Sequence, residues 1–242
     1  MNITVYTITY NEEKVLPFFL EHYSQFATSI IIYDNESTDN TTEIASRHPL
    51  VKDIRTTKTS NSLDDRMYID VKNTCWKGDS SDYVIIVDAD ELLYHHESVL
   101  NYLDNTKYSV YKPTGYNMIT ESFPCIGKPI TEQVNKGSAD TNYSKPVIFN
   151  PKLINNVSYE LGAHTGRFFN NSGQEVIPLQ SEFKLLHYKN LSIEYRLQRH
   201  RMFTNRLSDF NRTSGAGIHY TWSDDIQIEE FNKILESSEI VI

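Results

Sequence analysis

The chain has 242 residues, of which 39% are hydrophobic and 12% aromatic, a balance that fits a folded globular protein able to bury a substantial core. The formal net charge of −9 argues against general nucleic-acid binding. No stretch approaches ~18 apolar residues, so no membrane-spanning helix is predicted. Two cysteines, Cys75 and Cys125, supply neither a disulfide framework nor a thiolate metal site. The amino terminus, Met1-Asn2-Ile3-Thr4-Val5, enters a strand pattern directly and reads as lacking a secretion signal, which predicts a cytoplasmic setting.

The first half alternates strands and helices. Ile3 to Thr9 reads as a strand. Asn11 to Phe26 reads as a helix with Asn11 as N-cap and Val15, Leu16, Phe19, Tyr23 and Phe26 on one face, although Pro17 moves its regular part toward Lys14. Ser29 to Tyr33 is a second strand, Asp34 to Asn40 a polar turn, and Thr41 to Arg47 a short helix. Val51 to Thr56, a helix over Leu63 to Trp76, and a strand over Tyr83 to Val87 complete the series. This order implies a parallel sheet joined by right-handed crossovers.

The second half has shorter strands: Val110 to Thr120, Val147 to Phe149, Val157 to Leu161 and Glu182 to His187. A long loop is expected over Ser122 to Ser144. Helices follow over Ser192 to Phe210 and Ile226 to Leu235. With no repeat, low-complexity tract or clear linker, residues 1–242 read as one domain, with halves at 1–115 and 116–242.

The richest segment is Val84-Ile85-Ile86-Val87-Asp88-Ala89-Asp90-Glu91. Four β-branched apolar residues suit a strand buried on both faces. Asp88 and Asp90 at its carboxyl end stand where α/β sheets place ligands. Two close carboxylates repel unless a cation neutralises them, and hard oxygen ligands suit Mg²⁺ or Mn²⁺. The competing reading is a solvated turn that caps a following helix.

Further motifs fall in a recognisable order: Thr9-Tyr10-Asn11-Glu12-Glu13, Asp34-Asn35-Glu36-Ser37-Thr38-Asp39, Asp88-Ala89-Asp90-Glu91, Lys145-Pro146, Gly162-Ala163-His164 and Leu185-Leu186-His187-Tyr188. Together they resemble the family-2-like glycosyltransferases of the GT-A fold, in the branch with D-x-D-E and a later L-x-H-Y. The resemblance is strongest over residues 3–91. It implies an α/β fold with a mainly parallel central sheet flanked by helices and a smaller mixed-sheet acceptor region. It also implies metal-dependent, inverting transfer of a sugar from a nucleotide-diphosphate sugar, UDP-linked, to a glycan or other hydroxyl acceptor.

The resemblance places Mn²⁺ or Mg²⁺ on Asp88 and Asp90, with His187 completing the shell; by itself His187 reads more readily as a core histidine at a strand end. Thr9, Tyr10, Asn11, Glu13, Asn35 and Arg66 are the expected nucleoside contacts, with Tyr10 stacking on the base. Asn11 and Asn35 also read as a cap and a turn residue. Asn35 replaces a more usual Asp, and the chain lacks the Q-x-x-R-W-type motif of processive synthases, which points to single additions. Lys189 heads a basic run (Arg196, Arg199, Arg201, Arg206, Arg212) that reads either as diphosphate stabilisation or as a solvated helix face. His164, Glu91 and Asp140 are the candidate bases, with His164 first and Glu91 able instead to orient the acceptor.

Two other classes compete. A haloacid-dehalogenase-like phosphatase also places D-x-D after a hydrophobic strand, but near its first strand and with Thr or Val two residues beyond, where this chain has Leu92. A non-catalytic nucleotide-sugar or glycan-binding module is the third reading, weakened by Asp88, Asp90 and His187 standing together.

Overall fold

A computed structural model describes residues Met1–Ile242. Strands β1 (Ile3–Thr9), β2 (Ser29–Asp34), β3 (Val51–Thr56) and β4 (Tyr83–Asp88) run parallel in the order β4-β1-β2-β3. Helices α1 (Leu16–Tyr23), α2 (Thr41–Ser46) and α3 (Asp65–Thr74) join them. Every residue of β1 is buried, as its unbroken Ile-Thr-Val-Tyr-Thr-Ile-Thr run requires of a strand covered on both faces. At the edge, β3 exposes Lys52, Asp53 and Arg55, charges that discourage pairing with another chain. Helix α1 is shorter than expected. Pro17 sits in its first turn, where its missing N–H costs nothing, so the helix begins at Leu16 rather than near residue 12.

The D-x-D-E segment is a hairpin corner. Strand β4 ends at Asp88, Ala89 and Asp90 turn, and Glu91 opens β5 (Glu91–Tyr94). Tyr188 N donates to the Asp90 carbonyl at 2.7 Å and Tyr23 Oη to the Glu91 carbonyl at 3.0 Å, which fixes the corner against the core. Helix α4 (Val99–Thr106) follows, capped by Ser98 Oγ accepting from Asn101 N.

Strand β6 (Val110–Ile119) leads into the expected long loop, which instead holds a helical turn α5 (Ile130–Gln133), strand β7 (Lys136–Ala139) and a 3₁₀ turn (Thr141–Tyr143). Its backbone groups therefore find partners: β7 pairs antiparallel with β6. Strand β8 (Ile148–Phe149) bridges β4 and β6. A separate antiparallel sheet contains β9 (Ile154–Tyr159), β10 (Gly166–Asn170) and β11 (Glu175–Val176) in the order β11-β10-β9.

Strand β12 (Leu179–Asn190) is longer than expected and pairs antiparallel with β5 and parallel with β6. Helix α6 (Ile193–Arg206) stops before the expected Phe210, and α7 (Asp209–Ser214) starts anew. The break has a cause: Leu63 N donates to the Arg206 carbonyl at 2.6 Å and the Leu63 carbonyl accepts from Ser208 N at 3.0 Å, so extended pairing replaces helical bonds. Helix α8 (Asp224–Glu236) and strand β13 (Glu239–Ile240) complete the chain, with β13 on β7. No helix is long and apolar enough to cross a membrane.

Two apolar clusters pack the main sheet. The larger includes Phe19, Tyr23, Ile85, Leu93, Tyr111 and Leu185; the smaller includes Trp76, Val84, Phe149 and Phe168. Strands from both halves share one ten-stranded sheet, so the ends of β1, β4 and β12 are held rigidly near one another.

Candidate active site

A cleft opens at the carboxyl ends of β1 and β4. Its floor is Tyr10, Glu12 and Asp88 to Glu91; α3, the 145–164 region, β12, α6 and the segment 217–220 form its walls. Buried ion pairs dominate the floor. Lys72 Nζ lies 2.7 Å from Asp88 Oδ1, and Lys145 Nζ lies 3.6 Å from Asp88 Oδ2 and 2.6 Å from Glu91 Oε1. Arg199 bridges Glu12 Oε2 at 2.5 Å and Asp90 Oδ2 at 2.9 Å, and His187 Nε2 lies 3.3 Å from the same Asp90 oxygen.

These charges set one another's ionisation. Burial would raise Asp88, but Lys72 and Lys145 outweigh it and bring its pKa down to about 2. Burial opposes Asp90 in the same way, and His187 and Arg199 hold it well below the usual carboxylate range. For Lys145, burial disfavours the ammonium, yet Glu91 and then Asp88 hold it above the usual lysine range.

Of the residues expected at the site, Tyr10, Asp88, Asp90, Glu91, His164, His187 and Lys189 line this cleft. Thr9, Asn11, Glu13, Asn35 and Arg66 do not, and each is occupied elsewhere. Thr9 Oγ1 donates to Asp34 Oδ1. Asn11, at a positive φ of 52°, uses Oδ1 to accept from Thr38 N and Asp39 N, while Glu13 accepts from Asn40. Arg66 folds onto its neighbour Asp64 and lies over the Phe210 ring.

Asn35 is fully buried. Its Nδ2 donates to the Thr57 carbonyl and Thr59 Oγ1, both at 2.9 Å, and its Oδ1 accepts from Arg206 Nη2 at 2.7 Å. No edge of that amide is left for a base. The Arg206 guanidinium also lies over the Tyr10 ring, where the expected nucleobase was to stack. The amide and the ring thus belong first to the packing of α6 on the N-terminal sheet.

The candidate bases separate clearly. Glu91 is 1% exposed and locked between Lys145 and the Asp88 N–H, which donates to its Oε2 at 3.0 Å. Asp140 caps the 3₁₀ turn at Asn142 N and accepts from Asn117 Nδ2. His164 is exposed in the cleft. Its Nδ1 lies 2.7 Å from the Asn142 carbonyl, which can only accept, so Nδ1 carries the proton and Nε2 presents a free lone pair. Gly162 precedes it at a φ of 77°, and a Cβ there would press on the His164 ring at 2.8 Å.

Lys189 lines the same end of the cleft and donates to Tyr143 Oη, with its ammonium over that ring. Burial and then the Arg196 charge bring its pKa down to about 8. The ring of Tyr143 is 4.2 Å from that of His187 and 6.0 Å from that of His164.

Asp90 and His187 stand side by side on the cleft wall, a carboxylate and an imidazole of the hard and borderline types that Mn²⁺ and Mg²⁺ sites use, with Arg199 on the same Asp90 oxygen. Asp88 stands at the same corner, with Lys72 Nζ 2.7 Å from its Oδ1 and Lys145 Nζ 3.6 Å from its Oδ2, as Arg199 stands 2.9 Å from Asp90 Oδ2. Elsewhere His95, His96 and Glu182 bring three ligand atoms within 4.8 Å of one another. However, His95 Nδ1 accepts from Glu97 N and Ser98 N, so Nε2 carries the proton and has no lone pair to offer.

A parallel β4-β1-β2-β3 core with carboxylates at the corner after β4 defines the GT-A class of glycosyltransferase fold. The chain belongs to glycosyl transferase family 2, whose family model matches residues 4–151. Among solved structures it is similar to S. aureus TarS 1-349, at 12% identity, with 85% of this chain and 65% of that one covered and a TM-score of 0.45. The complex of TarS 1-349 with UDP-GlcNAc gives 15%, 62%, 46% and 0.41 for the same quantities. Glucosyl-3-phosphoglycerate synthase from Mycobacterium tuberculosis, crystallised with Mn²⁺, UDP and glucosyl-3-phosphoglycerate, gives 17%, 47%, 44% and 0.32. The chain thus spans about half the length of two of these structures. Comparison with curated proteins finds none that matches.

Sequence reasoning missed Lys72, Lys145, Arg199 and Glu12 as parts of the site. The pattern Lys145-Pro146 and the basic run around Arg199 were visible signals, but their carboxylate partners lie far away in the chain.

Proposed function

We propose that this chain transfers a sugar from a nucleotide-diphosphate sugar to a hydroxyl-bearing acceptor, with inversion at the anomeric carbon. Uridine diphosphate sugars are the first donors to test, and a glycan is the first acceptor class. The carrying observation is the single cleft that unites Asp90, His187 and the free Nε2 of His164. Residues 1–115 form the donor half and residues 116–242 the acceptor half of one unit.

His164 Nε2 takes the proton from the acceptor hydroxyl as that oxygen attacks the anomeric carbon, and the Asn142 carbonyl holds the ring in the required tautomer. The bond from the sugar to the diphosphate breaks on the opposite face. Negative charge grows on the departing phosphate, and Arg199 and Lys145 supply fixed positive charge at the cleft floor without reorganisation. Asp90 and His187 would hold Mn²⁺ or Mg²⁺, which supplies Lewis-acid stabilisation of that leaving group. Glu91 keeps Lys145 and the corner in place rather than touching the acceptor.

A thermal-shift screen of nucleotide sugars with and without Mn²⁺ tests the reading. A matching donor stabilises the native state by mass action, about 2.7 kcal/mol at a concentration of 100 Kd. One nucleotide class should raise the melting temperature, more strongly with Mn²⁺ present. A screen in which no nucleotide sugar or nucleoside diphosphate shifts the transition overturns the proposal.

A further inference from the structure

The cations that line the cleft, with Arg196 outside its lining, fall into two groups. Lys72, Lys145 and Arg199 each sit on a carboxylate. Lys189 and Arg196 do not. Lys189 has only the Tyr143 hydroxyl. Arg196, 5% exposed behind it, has only the amide oxygens of Asn190 at 2.6 Å and Gln227 at 2.9 Å. The acidic groups facing these two cations form no ion pair with them: Asp90 is held by Arg199 and His187, Asp140 accepts from Asn117 and the backbone of Asn142, and Glu230 faces Arg196 from α8.

No carboxylate is in direct contact with either cation. His164, His187, His200 and His219 line the same end of the cleft, and buried Nδ1 atoms of His187 and His200 have no hydrogen-bond partner. Withdrawing a charge from water with no carboxylate in contact is expensive, so an arrangement of this kind favours an anion supplied from outside. Lys189 and His164 both pack around Tyr143. A molecule whose hydroxyl reaches His164 Nε2 therefore brings its neighbouring substituent to Lys189.

We infer that the acceptor carries an acidic group, a phosphate or a carboxylate, close to its attacking hydroxyl, and that Lys189 holds this group with Arg196 reinforcing the field. The inference deepens the proposed transferase reading and rests on His164 as the base. It also moves Lys189 from the departing diphosphate, which Arg199 and Lys145 face, to the acceptor.

The test is calorimetric titration of inorganic phosphate into the full chain. It is done first alone, and then with the protein saturated by Mn²⁺ and the nucleoside diphosphate selected in the thermal-shift screen. Phosphate should bind in both states, with affinities within about threefold, because on this inference the acceptor's acidic group and the nucleotide do not share a site. Lys189→Met should weaken phosphate binding by about tenfold or more, and Lys189→Arg should retain it. Lys189→Met should also melt no lower than wild type in the absence of ligands, since it removes a charge with no carboxylate in contact. Malonate in place of phosphate separates the two sources: the anion bound more tightly names the acceptor's acidic group. Mutual exclusion of phosphate and nucleotide would return Lys189 to the diphosphate and overturn the inference. Wild-type phosphate affinity in Lys189→Met, or no phosphate binding by the wild type, overturns it too. Failure of every nucleotide to bind, measured before phosphate is added, overturns the transferase reading itself and is thereby told apart.

Discussion

Lys145→Met tests the electrostatic core of the site. Lys145 is 3% exposed and Glu91 is 1% exposed, and their charged atoms lie 2.6 Å apart. The contact is an ion pair without good hydrogen-bond alignment, so charge rather than direction holds it. Replacing the ammonium by a methyl group of similar reach keeps the packing and leaves the Glu91 carboxylate buried alone. Removing one partner of a buried pair costs about 3–5 kcal/mol. At roughly 2–4 °C per kcal/mol for a domain of this size, the melting temperature should fall by about 6–20 °C. Glu91→Gln removes the stranded charge while its amide oxygen can still accept from Asp88 N. The double variant should therefore recover about 2 kcal/mol or more of the loss. Urea unfolding of the four proteins measures the coupling. An additive cycle, or a single Lys145→Met variant as stable as wild type, would refute the reasoning.

Three other expectations can be checked separately. His164→Ala should keep nucleotide affinity and lower kcat by about 10²–10⁴-fold, and equal losses in nucleotide binding and turnover would assign it to the donor instead. Asn35→Ala leaves Arg206 Nη2 only the backbone carbonyl of residue 35 at 3.4 Å and should cost about 2–3 kcal/mol in unfolding experiments with little change in nucleobase preference; unchanged stability with altered preference would restore the base-contact role. His22, fully packed against the Leu93 carbonyl at 2.8 Å, has its pKa pushed down by burial to about 4. The unfolded chain therefore binds the extra proton first. The stabilisation is complete above about pH 6.5 and is lost as pH falls toward 4, at roughly 1.4 kcal/mol per unit. Measured against His22→Gln across that window, wild type should lose its advantage, and a pH-independent difference would contradict the assignment.

Much of the fold was legible because its strongest signals are local. The Ile3 to Thr9 run and the Val84 to Val87 run are continuous and β-branched, so β1 and β4 could be placed from the chain alone. Glu91 to Tyr94 was not recognised as a strand, since only its pairing with β12 defines it. The break between α6 and α7 likewise depends on Leu63, far away in sequence. At the candidate site, Asp88, Asp90, His187 and Lys189 were visible because they fall at or near the ends of β4 and β12, and His164 because it follows the glycine of a 3₁₀ turn. The ion pairs were not: Arg199 meets Glu12 across 187 positions and Asp90 across 109, and no local pattern encodes such distances. Asn35 shows the opposite failure. Its motif position suggested a ligand contact, whereas tertiary packing had already used all of its hydrogen-bonding capacity.

The central claim is that one cleft, organised by Asp90, performs sugar transfer. The most direct measurement is nucleoside diphosphate release from the donor selected by thermal shift, with Mn²⁺ present, by wild type and Asp90→Asn. Asn keeps the size of the side chain but removes the charge that Arg199 and His187 neutralise. The account predicts release by the wild type, increased by an acidic hydroxyl acceptor, and its loss in Asp90→Asn while the variant still unfolds cooperatively. Release at the wild-type rate by folded Asp90→Asn would contradict it.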